Sequence, residues 1–347
     1  MAAFPSRHIP KLAALLAGVV YALIFRGLFN IGFRQVGGLL MLSFLVAVPL
    51  GLGVLTAHFT PKSRGNAWRY VFAPWISVTL FLAVAFLTHL EGAICLIIIM
   101  PLFFLVSWLG ARLYKLFEPK DEDPQDFMLV SAVALLPLLA GLIEGQFTAP
   151  DSLRRVQNVV DVAAPPAVVW QHIIRVPPIT AAELGPSVVD RIGFPRPVEA
   201  TLTREGVGGV RHATFERGVE FIETVDAWVP ERKISFSIAP NTATIPPTTF
   251  DEHVIVGGRF FDVLRGTYEL QPLPGGRTRL ILYSQQRLST NLNAYAGLWT
   301  DYVMSEIQRR ILQVVKRRCE TTLTISEHHA ARSEPKVDVV KHLACFD

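Results

Sequence analysis

The sequence is poor in cysteine, with 3 in 347 residues. Cys95 lies in an apolar run, Cys319 near the end of an expected helix and Cys345 in the C-terminal tail. No CxxC or Cys/His spacing joins them, so neither a disulfide framework nor a zinc site is supported, and no cofactor or metal is expected. The GxSxG, HExxH, P-loop and GxGxxG patterns are missing as well, which removes the motif-level case for a serine hydrolase, a zinc protease, a nucleotide hydrolase or a dinucleotide enzyme. Charge is scarce at 18%, and a net +4 is too small for the basic footprint of a nucleic-acid binder.

That scarcity is uneven. Residues 1–148 hold 10 Lys/Arg and 7 Asp/Glu, whereas the remainder holds 23 and 22. The first part is thus about 11% charged and the second about 23%, a value ordinary for a water-soluble domain. The composition implies a membrane part at 1–148, a soluble domain at 150–322, and a disordered tail at 323–347 with mixed charge and His328–His329.

Five apolar stretches precede residue 150, at 12–25, 38–57, 71–90, 92–109 and 127–142. About 20 apolar residues in a helix cross a hydrocarbon core of about 30 Å. The second to fourth stretches reach or approach that length. The first needs 27–33 to complete a crossing, and the fifth is short and holds Pro137. Five spans are expected, with four as the alternative. Arg7 and Lys11 before the first stretch imitate a secretory signal, but no convincing small-x-small cleavage site follows, so it reads as a retained anchor. With five spans one side collects Arg7, Lys11, Lys62, Arg64, Arg69, Arg112, Lys115 and Lys120, and the other Arg26, Arg34, Arg154 and Arg155. That bias leans toward a multi-pass inner-membrane protein with a cytoplasmic N-terminus and an extracytoplasmic C-terminal domain. His89, Glu91 and Glu144 fall at stretch ends, where interfacial placement explains them without an ion path, and no pair of interrupted helices marks a transporter repeat.

After Pro150 the pattern alternates. Strands are expected at 154–162, 198–203, 210–217, 219–228, 233–239, 259–271 and 279–286, with two short helices after the first. In 233–239, Ile234, Phe236 and Ile238 alternate with Ser235 and Ser237, the period of a sheet with one buried face. Residues 293–320 lack proline and carry Trp299, Tyr302, Val303, Ile307 and Ile311 at helical spacing, so one long amphipathic helix must bury its stripe on the sheet. The fold class is a membrane helical bundle followed by an antiparallel α+β domain, with the long helix across the concave side of a curved sheet.

The segments VVDVAAPPAVVWQHI at 159–173, GGVRHATFERGVEFIETVDAWVPERKISF at 208–236 and FFDVLRGTYELQPLPGGRTRLILYS at 260–284, with the long terminal helix, resemble the START/polyketide-cyclase/lipid-transport superfamily, known as SRPBCC. The resemblance covers about 154–320 and none of the membrane part. It implies the helix-grip fold, with a hydrophobic cavity between sheet and helix in which relatives bind lipids, quinones, hormones or polyketides and a minority catalyse cyclisation or dehydration. Fold alone does not fix function.

Alternation nominates Phe221, Glu223, Phe236, Tyr268 and Leu282 from the sheet and Trp299 and Tyr302 from the helix as ligand-binding residues, each also explicable as ordinary core. His212 and Glu223 are the weak acid/base candidates. Against that, Arg211, Glu216, Arg217, Glu220 and Asp226 read equally as an exposed face of alternating charge. Three functions stay open: a membrane-anchored domain that binds or transfers a hydrophobic small molecule; a polyketide cyclase/dehydratase-type enzyme using His212 or Glu223, with Tyr268 or Tyr302 as donor; and an interaction module for a membrane-protein partner.

Overall fold

A computed structural model describes residues 11–62, 65–117, 125–241 and 256–333. Arg7, Arg64, Lys120, Cys345 and the last part of the expected tail, 334–347, lie outside the described residues.

The N-terminal part is a bundle of α1 (Lys11–Gly32), α2 (Val48–Phe59), α3 (Ala73–Leu87), α4 (Ala93–Phe117) and α5 (Gln125–Glu144). Wider π-type turns at Ser43–Ala47 and Trp68–Phe72 lead into α2 and α3. Among the described residues, three helical segments are long and apolar enough to cross a membrane: Leu12–Gly32, Trp68–Leu87 and Ala93–Phe117. The other two apolar helices, Ser43–Phe59 and Val130–Glu144, are shorter. Small residues set the closest crossing. A Cβ on Gly53 would sit 2.0 Å from the Ser107 carbonyl oxygen, and one on Gly110 would sit 2.2 Å from that of Leu50. Helices α2 and α4 therefore touch backbone to backbone, the packing that glycine permits between apolar helices.

Two carboxylates of the bundle sit at its ends. Arg26 on α1 pairs with Glu91 at 3.0 Å in the α3–α4 turn and also donates to the Leu90 carbonyl. Glu144, closing α5, accepts the Leu42 and Ser43 amides at 2.6 and 2.7 Å. These amides start a helical segment and have no intrahelical acceptor, so a carboxylate there caps them.

The C-terminal part begins with β1 (Ser152–Val162), followed by α6 (Pro166–Ile174), α7 (Ala181–Leu184) and α8 (Val188–Arg191). Sequence alternation foresees two short helices; the third, α8, is a single turn capped by Ser187 and too brief to show a period. Then come β2 (Pro197–Leu202), β3 (Val210–Phe215), β4 (Glu220–Val229), β5 (Lys233–Pro240), β6 (Phe261–Leu273), β7 (Arg277–Leu288) and α9 (Asn293–Ser333). The strands form one antiparallel sheet in the order β1-β7-β6-β5-β4-β3-β2. Bulges at Val225/Ala227 and Val263/Arg265 help it curl. This curled sheet with α9 across it fits the helix-grip arrangement. Helix α9 runs past Glu320 to Ser333, so the beginning of the segment read as a disordered tail is helical.

Buried Leu312, Val315 and Cys319 of α9 meet Trp170 and Ile173 of α6 and Ile234, Leu270 and Leu280 of the sheet in one core. Buried and half-buried ion pairs clamp the helix. Arg310 grips Asp190 with two hydrogen bonds of 2.5 and 2.9 Å, and Arg318 grips Glu183 at 2.7 and 3.1 Å. Burial pushes the Cys319 thiol up to about 12.

Candidate functional site: a cavity between sheet and helix

The core packs against the middle of α9, at Leu312, Val315 and Cys319, but not against its beginning. There the sheet and helix enclose a cavity of about 280 Å³. Trp299, Val303, Ile307 and Ile311 line it from α9 at successive intervals of four residues, the spacing of one helical face. The sheet supplies Phe221 and Glu223 from β4, Phe236 and Ile238 from β5, Tyr268 from β6 and Leu282 from β7. Gly266 faces Phe236 across the β5–β6 ladder, and a Cβ there would come within 3.3 Å of the ring, so glycine keeps room at this wall. The bundle reaches the same cavity through Leu40 and, from α4, Ile98.

Among the polar residues in the lining, which include Glu199, Thr214, Thr290 and Thr300, two buried sets differ in completeness. Gln308 is buried, yet its amide donates to Ser284 at 2.8 Å and to the Val156 carbonyl at 3.3 Å, and its oxygen accepts from Asn158 at 2.9 Å. That set is an internal tie. The other set is Arg211, Glu223 and Tyr268. Arg211 donates to Glu223, lies beside the Tyr268 hydroxyl and stacks 5.3 Å from the Phe236 ring centre. Burial opposes the Arg211 charge, but Glu223 and Tyr268 outweigh it and hold the guanidinium pKa above its usual value. Burial likewise raises the Tyr268 phenol, which stays a neutral donor. The Arg211 Nε has no partner among the described residues. A buried N–H left without an acceptor is costly, so this set is less complete than the Gln308 tie.

Of the residues singled out by alternation, Phe221, Glu223, Phe236, Tyr268, Leu282 and Trp299 stand around this one cavity. Tyr302 does not: it is 40% exposed, because the inward stripe runs through 299 and 303 and leaves 302 turned outward. His212 is not brought to Glu223 either. It lies on the other face of β3, 2.8 Å from Glu220, so the acid/base pair does not assemble. Asn241 first, then His212, hold the Glu220 carboxyl below its ordinary range.

Arg211 is the main correction. Alternating charge assigns it to an exposed face, whereas it is 4% exposed. Cross-strand register gives the reason: Arg211 sits opposite Glu223, so an inward Glu223 carries Arg211 inward with it. Knowledge of the β3–β4 register would have found it, but alternation within one strand could not. Asp226, by contrast, falls at the β4 bulge and pairs with Arg265 at 2.7 Å outside the cavity.

No family model and no curated protein matches the chain. Solved structures similar to its C-terminal half include an aromatase/cyclase from Streptomyces sp. R1128, at 21% identity and TM-score 0.32, covering 50% of this chain and 96% of that one. A truncated norcoclaurine synthase from Thalictrum flavum is similar at 10% identity and TM-score 0.31, with 49% and 96% covered. A START superfamily protein from Mycobacterium smegmatis is similar at 12% identity and TM-score 0.33, with 48% and 98% covered.

Proposed function

We propose that this chain is a multi-pass inner-membrane protein whose C-terminal domain, beginning near residue 150, binds or transfers a hydrophobic small molecule without altering it. The ligand class is a lipid, quinone, isoprenoid or polyketide-like molecule with one polar end. The observation that carries the reading is a mainly apolar cavity with a buried charged set, Arg211–Glu223–Tyr268, in its wall. Apolar lining binds the body of such a ligand, and a few placed polar groups orient its head. A carbonyl, hydroxyl or carboxylate oxygen at the ligand's polar end suits the donors of that set. Separation of His212 from Glu223 weighs against acid/base turnover.

For the membrane part, five spans with the C-terminal domain extracytoplasmic are supported by the three long apolar helices, the two shorter ones and the Lys/Arg bias. The test is titration of the full chain in nanodiscs with dodecanol and dodecane, read by the fluorescence of Trp299 in the cavity wall. Saturable binding that favours dodecanol is expected, with the response lost in Trp299→Phe and the binding lost when Leu282→Trp fills the cavity. Absence of a saturable response to either probe would contradict the proposal.

A further inference from the structure

The cavity is not built by the C-terminal domain alone, because Leu40 and Ile98 of the bundle complete its lining. Where the two parts meet, buried Ile94 of α4 and Val219 pack together with half-buried Ile98, Phe194, Phe215 and Phe221. The turn before β4 aims Val219 there: Arg217 and Gly218 both adopt left-handed backbone, at φ 58° and 73°. Hydrogen bonds tie the seam at its edges. Tyr295 donates to the Ile98 carbonyl at 2.5 Å, Asn291 donates to Glu144, and Arg259 donates to the Gln35 carbonyl. Between those ties the side chains that meet are apolar.

Helix α4 also lacks one backbone hydrogen bond at this point. Pro101 has no N–H, so the Ile97 carbonyl lacks its helical donor, and the neighbouring Ile98 carbonyl is engaged by Tyr295. The seam lies at the α3–α4 end of the bundle: its Ile94 comes four residues after the exposed Leu90 of the turn, and the exposed Leu298 immediately precedes Trp299 on α9. An apolar seam that lines a cavity on one side and adjoins the lipid-facing helices on the other joins two hydrophobic phases.

Resting on the ligand-binding reading above, we propose that the seam between α4 and the beginning of α9 is a portal, through which a single-chain amphiphile passes directly from the bilayer into the cavity. A chain moving by this route keeps its methylenes out of water. Ile98 is the threshold: its side chain belongs to both the seam and the cavity.

The test uses the full chain in nanodiscs of brominated phosphatidylcholine carrying pyrenedecanoic acid. Bromine quenches the probe in the bilayer, so capture appears as recovered emission. Recovery is expected with the wild type, at least ten-fold slower in Ile98→Trp and unchanged in Val229→Trp, which alters the distant β4–β5 turn. Equal rates for wild type and Ile98→Trp would overturn the portal. To cover misfolding of that variant, a benzophenone amino acid at position 98 should crosslink the bilayer-supplied probe during capture; adducts formed at position 299 but never at 98 would overturn it too. Binding of probe added from solution, with no capture from the bilayer, would sink the portal and leave the ligand-binding reading standing. No binding by either route would remove both.

Discussion

The two parts of this molecule bury apolar surface in opposite ways. The bundle is apolar on its outside, with Leu16, Leu105, Leu139 and Ile143 exposed, and it is drawn together by glycines at the α2–α4 crossing. The C-terminal domain turns its apolar residues inward, leaves them short of filling the space, and sets a charged pair in the remaining wall. A surface solvated by hydrocarbon gains little from burying leucine, so close backbone contact must hold the bundle. A surface solvated by water gains from every buried methylene, so unfilled apolar space is a sacrifice of stability that binding can recover. Under the proposed function, this difference assigns ligand binding to the second part and association with lipid to the first.

Charge removal inside the cavity should break this contrast most strongly. Arg211→Met leaves Glu223 buried without its counter-charge and should cost about 3–5 kcal/mol in a denaturant or thermal unfolding measurement. The double change Arg211→Met with Glu223→Leu should recover most of that stability while abolishing the preference for dodecanol over dodecane. If the double variant kept the preference, the charged set would be structural only. The bundle should respond to volume instead of charge. Gly110→Ala forces a methyl against the Leu50 carbonyl and should destabilise the bundle by about 1–3 kcal/mol, seen as an earlier thermal transition in detergent.

A smaller effect sharpens the picture of the clamp on α9. Arg318 first, with Thr180 of the α7 capping box assisting, lowers the Glu183 carboxyl from 4.5 to about 2. A carboxyl whose folded pKa is depressed contributes stability that is complete above its unfolded value and lost as pH falls through the folded one. The stability difference between wild type and Glu183→Gln should therefore be constant above about pH 5, shrink from about pH 4.5 downward and vanish near pH 2. A difference independent of pH would show that Arg318 does not act through this carboxylate. The smallest effect is no reaction at all: the buried Cys319 thiol, with its pKa near 12, should resist alkylation by iodoacetamide until the domain unfolds, as read by peptide mass spectrometry.

Much of the architecture was legible because it follows from periods. Alternation in 233–239 and the four-residue spacing of Trp299, Val303, Ile307 and Ile311 each state which face is buried. A composition break near residue 150 likewise announces a change of solvent. What stayed hidden depends on relations between segments. Arg211 looks like surface charge until the β3–β4 register puts it opposite Glu223. Tyr302 shares the apolar character of the helix stripe but not its phase, since a residue three positions past Trp299 falls on the stripe's edge. The part that Leu40 and Ile98 play in the cavity has no signature in either segment, because only the docking of the domain on the bundle creates it.

On the proposed function the cavity holds a hydrophobic molecule taken from the membrane. The most direct test of that function is native mass spectrometry of the intact chain released from nanodiscs, followed by organic extraction. An adduct of a hydrophobic molecule with one polar end, retained by the wild type and lost in Leu282→Trp, is the expected result. A wild-type chain released with no adduct, or one retaining the same adduct after Leu282→Trp fills the cavity, would contradict it.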